Sequence, residues 1–181
     1  MKIPAGLLGS SLLVAVTAPL AQPADTAMIK AVEGFYRAYE TFRPPDGIPN
    51  AHILKRFEPY ISPTLDRLLL ASEAAETRYE QVTKGQYPPL VEGDLFTPNF
   101  EGATSFSVGP CEADARGGHC AVSLRYSGGE KPLSWTDLVS LVRTPSGWRV
   151  DDISYGGNWD ARGKLTDTLK SAIEHGNGVK E

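Results

Sequence analysis

The stretch WTDLVSLVRTPSGWRVDDISY, residues 135–155, holds two strand-like runs joined by the turn signal TPSG. Proline, serine and glycine in succession favour a tight reversal, so the runs are read as an antiparallel hairpin, Trp135 to Arg143 and Trp148 to Tyr155. The first run is apolar on both faces and is expected to be central, covered by helices on one side and by a pocket or partner on the other. The second run breaks its own alternation. Trp148 and Val150 share one parity, whereas Ile153 and Tyr155 share the other, and Asp151 and Asp152 stand between them. A β-bulge at the two aspartates would return both apolar pairs to one face and re-aim one carboxylate. Without a bulge, adjacent strand residues diverge and cannot act as one acid/base dyad. The plainer reading leaves both aspartates solvated or paired with Arg149 or Arg125; the sharper one makes them ligand- or partner-binding residues.

Upstream of the hairpin the pattern is also β-rich. Strands are expected near Thr104 to Val108 and over Cys120 to Tyr126, where Cys120, Val122, Leu124 and Tyr126 point one way and His119, Ala121, Ser123 and Arg125 the other. Cys111 and Cys120, the only two cysteines, bracket the polar turn segment EADARGGH. A disulfide across this hairpin is the expected use, stabilising by roughly 2 to 3 kcal/mol through loop entropy. Earlier still the period becomes helical. Met28, Ile29, Val32, Phe35, Tyr36, Tyr39 and Phe42 recur at three- and four-residue steps until RPPDG stops the helix. A short helix is expected around Ile53 to Phe57. A longer one has Ser62 as N-cap and Pro63 at its first position, with Leu65, Leu68, Leu69, Ala75, Tyr79 and Val82 as its buried stripe. Leu165, Leu169 and Ile173 predict a closing helix, and HGNGVKE a frayed tail. Helices followed by an antiparallel meander give an α+β fold, the helices covering one face of a curved sheet.

The 181 residues are 41% hydrophobic and 22% charged, the composition of one globular domain, over about 28–174. A formal charge of -4 and the lack of a basic cluster argue against a nucleic-acid partner. Lys2 followed by IPAGLLGSSLLVAVTAPLA has the layout of a secretory leader, with cleavage expected after Ala21 or, failing that, Ala24. The competing reading is an uncleaved anchor, against which the stretch is short and broken by Gly and Pro. Loss of the leader takes Lys2 with it, and the charge from -4 to -5. A periplasmic or secreted protein with no membrane span in its mature form is therefore expected, in keeping with a disulfide.

In sequence, VEGFYRAYETF, YISPTLDRLL, GDLFTPNFEG and GWRVDDISY, followed by a closing helix, resemble a bacterial family of envelope proteins of unknown function. That family lies in the nuclear transport factor 2-like, or cystatin-like, superfamily. The resemblance implies a cone in which helices pack into a strongly curved antiparallel sheet, often with a cavity at the open end. It also implies a sheet-to-sheet homodimer as the oligomer to look for. It implies no activity, since the superfamily includes isomerases, dehydratases, cyclases and proteins without known chemistry.

Asp137 is the main candidate for chemistry. Trp135 and Asp137 sit at i and i+2 beside Val139 and Leu141, so a face lining the cone would desolvate the carboxyl and raise its pKa, as a general base requires. Tyr155, or Tyr126, would then donate to a developing oxyanion. The competing reading is a rim aspartate that caps a turn or pairs with Lys131. His52, His119 and His175 are scattered without metal-ligand spacing, so neither metal nor cofactor is expected. No G-x-S-x-G and no phosphate-cradling glycine loop is present. Asp94 in GDLFT is read as capping a turn, and Trp159 in YGGNWDARG as tucked over the cone mouth or offered to a partner. The expected function is a non-enzymatic module that binds an envelope protein or small ligand, with Trp135, Asp151, Asp152 and Trp159 as contact candidates. The alternative is a small-molecule isomerase or dehydratase using Asp137.

Overall fold

The structure, a computed structural model, describes residues 23–42, 46–157 and 163–179. The expected leader and Trp159 lie outside the described residues. In chain order the elements are α1 (Pro23–Glu40), α2 (Ala51–Leu54), α3 (Pro63–Thr83), β1 (Ser105–Ala113), β2 (Gly118–Tyr126), β3 (Leu133–Thr144), β4 (Gly147–Ser154) and α4 (Leu165–Gly178). The protein is α+β: β1 to β4 form one antiparallel sheet in sequence order, and the helices pack on one of its faces.

Capping places the helices. The Ser62 hydroxyl accepts the Leu65 amide at 3.0 Å, Pro63 opens α3 and Asp66 lies in its positive first turn. The helix ends at Lys84, whose φ of 55° is left-handed. Leu65, Leu69, Ala75 and Tyr79 are buried as their spacing predicts, but Leu68 and Val82 are only partly covered. Ser72 joins the stripe instead, because its hydroxyl bonds to the carbonyls of Leu68 and, across the α3–α4 contact, Leu169. The short helix sits at Ala51–Leu54, earlier than Ile53 to Phe57, because Asn50 caps it by accepting the His52 and Ile53 amides. The tail is not frayed at residue 175. Helix α4 continues to Gly178, where Arg78 holds the Gly176 and Val179 carbonyls at 2.7 and 3.1 Å. Gly176 is needed at that crossing, since a Cβ would stand 2.7 Å from the Ala75 carbonyl oxygen.

The second hairpin forms as its turn chemistry predicts, with Thr144 opposite Gly147, whose φ of 103° favours glycine. Its register slips between Ser140 and Leu141, which face Asp152 and Val150, leaving Asp151 as the extra residue of a bulge. Trp148, Val150 and Ile153 are consequently all buried on the helix-covered face. The first hairpin is longer than its pattern suggests. The strand expected near Thr104 to Val108 runs on, because a register shift absorbs Gly109 and Pro110 and pairing resumes at Cys111. Cys111 and Cys120 lie opposite each other and form a disulfide.

Helices cover β3 on one face only. Trp135, Asp137, Val139 and Leu141 are buried, but on the other face Thr136 and Leu138 are exposed, Leu138 to 43%. Among the described residues, the packing that covers β3 comes from the helix side, and the other face is left for a pocket or partner. Among the described residues, no helix is long and apolar enough to cross a membrane.

Candidate functional site

The helix-covered face ends in a set of polar side chains, all buried except the partly buried Tyr155, drawn from four parts of the chain. Helix α1 supplies Tyr36 and Tyr39, three residues apart on its apolar stripe. The loop after α3 supplies Asp94, β3 supplies Asp137, and the chain leaving β4 supplies Tyr155. Aromatic rings pack around them: Tyr36 stacks on Phe106 at 5.2 Å between centroids, and Phe96 on Phe57 at 4.9 Å.

Asp94 is bound on both oxygens. Its Oδ1 accepts the Phe96 amide at 2.7 Å, the turn cap its sequence suggests, and its Oδ2 accepts the Tyr39 hydroxyl. That hydroxyl in turn accepts the Ala103 amide at 2.8 Å, so the phenol ties the loop's two ends to α1. Burial nevertheless pushes the Asp94 carboxyl up to about 6, against the hydrogen bonds from Tyr39, Phe96 and Thr97 that pull it down.

Asp137 is fully buried rather than at the rim, and differs in its partners. Its Oδ1 accepts the Gly156 amide at 2.7 Å, whereas its Oδ2 meets no donor in good geometry among the described residues. Burial raises it to about 6; Gly156 and the Trp135 side chain oppose that shift and the charge of Asp94 adds to it. The nearby Tyr36 hydroxyl is also buried without a hydrogen-bond partner, and its pKa is pushed well up, first by burial and next by Asp137. Tyr155 is not the free donor foreseen beside Asp137, because its hydroxyl is given to the Leu95 carbonyl at 2.5 Å. Tyr126 lies at the far end of β2, opposite Leu133, while Asp137 faces Val122. The Asp137 carboxyl, with the Trp135 side chain near it, and the Tyr36 phenol could between them hold a water or a ligand oxygen.

The adjacent aspartates have separate structural roles. The bulge directs Asp151 to the start of α3, where its Oδ1 accepts the Ser62 hydroxyl at 2.5 Å. Asp152 holds the start of α4, accepting the Thr166 amide and hydroxyl, each at 3.0 Å. Among the described residues neither forms an ion pair with Arg149 or Arg125; Arg149 bonds to the Trp148 carbonyl instead. Trp135 is buried to 6% exposure, so the side chain packs inward instead of projecting. No group of three or more His, Cys, Asp or Glu is placed to hold a metal among the described residues.

Sequence reasoning singled out Asp137 and missed Tyr36 and Tyr39, although two phenols on one buried helical stripe each require a polar partner or leave a polar orphan. No protein-family model, no curated protein and no solved structure matches the chain.

Proposed function

We propose that the chain is an extracytoplasmic, non-enzymatic binding module of the nuclear transport factor 2-like type, which engages a ligand or envelope partner with the open face of its sheet. The observation that carries this reading is the uncovered face of β1 to β3, with Ser123, Arg125, Thr136 and Leu138 exposed on it. Three of the acidic groups are engaged in structural bonds: Asp94 by Tyr39, Asp151 by Ser62 and Asp152 by Thr166. The Cys111–Cys120 disulfide favours an oxidising compartment. The test places a photo-crosslinking residue at Leu138, and at Leu70 of α3 as a control of equal exposure, 43% against 42%. Adducts from position 138 alone are expected, at twice the chain mass if the partner is a second copy. Adducts from neither position, or from both alike, would count against the open face.

A second reading has its own support. Asp137, raised to about 6 beside the unpartnered Tyr36 hydroxyl, is a base and an oxyanion donor in one buried site. Planar phenolates mimic the enolate such a pair would stabilise. If the site is catalytic, a series of substituted phenols should bind with an affinity that Tyr36→Phe lowers at least tenfold; no binding at millimolar concentration would remove the enzyme reading.

A further inference from the structure

The open face carries a trough whose residue types specify a class of ligand. The register sets Phe106, Leu124 and Trp135 in one row across β1, β2 and β3, with their side chains turned inward. The flanking rows, Ser105, Arg125 and Ser134 on one side and Ser107, Ser123 and Thr136 on the other, are exposed and outward. Two rows separated by two residues along a strand stand about 6.8 Å apart. Together the three rows line a groove of about 350 Å³, floored by the backbone of the middle row and banked by five hydroxyls and one guanidinium. That volume is at the small end of ligand sites, enough for one ring-sized group.

The chemistry of the banks is one-sided. Hydroxyls donate and accept, but a guanidinium only donates, and among the described residues no carboxylate lines the groove to neutralise it. Among the described residues the Arg125 side chain has neither a hydrogen bond nor an ion pair, in a chain of net charge -4. No exposed aromatic ring lies in the outward rows to stack on a neutral sugar, so the charge must supply the anchoring contact.

We propose that this trough binds the sugar-acid group of an acidic glycan, its carboxylate on Arg125 and its ring hydroxyls on Ser105, Ser107, Ser123, Ser134 and Thr136. The inference rests on the open-face reading and names the ligand class for it. The test is a titration of the oxidised full chain by two-dimensional NMR with galacturonate, galactose, acetate and inorganic phosphate. Galacturonate should shift the amides of 105–107, 123–125 and 134–136, with at least tenfold weaker binding of galactose and acetate and a tenfold loss in Arg125→Gln. A Ser123→Leu variant, which fills the trough and keeps the charge, should lose binding as well. Shifts elsewhere, no binding at 10 mM, or equal binding of phosphate would overturn the sugar-acid assignment. The wider reading is judged separately: Leu138 adducts that persist while galacturonate fails leave the open face as the interface and remove only this ligand class.

Discussion

Asp94 and Asp137 occupy one aromatic interior, both raised to about 6, yet one is a structural tie and the other is half-satisfied. The difference lies in the donors that reach them. Asp94 sits in a compact loop that presents the Phe96 amide to one oxygen, while α1 presents Tyr39 to the other. Asp137 projects from a regular strand whose amides are committed to the sheet, so the backbone donor that reaches it is Gly156, where the chain leaves β4, with the Trp135 side chain beside it. Burial sets the pKa of each carboxyl, and the number of donors decides whether an oxygen is left over for anything else.

The sharpest way to break this comparison is Asp94→Ala. It removes the acceptor of the buried Tyr39 hydroxyl and of the Phe96 amide, and should cost about 3 kcal/mol in urea unfolding at pH 7, after allowing for relief of the buried charge. A loss under about 0.5 kcal/mol would mean that the tie contributes little. Next is the matched pair of phenols. Tyr39→Phe removes the hydroxyl that both Asp94 Oδ2 and the Ala103 amide bond to and should cost about 2 kcal/mol, whereas Tyr36→Phe removes a hydroxyl that has no partner and should stay within about 0.5 kcal/mol. Equal costs for the two would show that Tyr36 has a partner in solution.

A further effect has the opposite sign. Because the folded chain binds the Asp94 and Asp137 protons more tightly than the unfolded one, their contribution is complete below the unfolded value of 3.8 and is lost as the pH rises through about 6. Asp137→Asn keeps an acceptor for Gly156 and removes the charge, so it should stabilise by about 1 to 2 kcal/mol at pH 8 and leave stability at pH 4 unchanged. The check is the melting temperature of both proteins at the two pH values; destabilisation at pH 8 would show that the ionised carboxylate is well solvated after all.

Much of the scaffold can be read along the chain. Ser62 and Pro63 mark the start of α3 because capping needs only neighbouring residues, and the clash of parity between Val150 and Ile153 announces the bulge because strand alternation is strict. The Cys111–Cys120 pair follows from the turn between them. Other features misled for a physical reason: the strand expected near Thr104 to Val108 runs on because a sheet can step over Gly109 and Pro110, and the Gly-rich end of α4 looks frayed until Arg78 holds its carbonyls from another helix.

What the amino-acid sequence determined by itself is the order and type of the main elements, the Ser62 cap, the TPSG turn and the disulfide, with the bulge at Asp151 offered as one of two readings, since each depends on groups a few residues apart. Only the tertiary structure decided where Asp94 finds Tyr39 across 55 residues, that Asp151 and Asp152 each hold the start of a different helix, and that Tyr36 lies by Asp137 without a partner. Periodicity tells which way a side chain faces. What it meets there depends on the path of the whole chain.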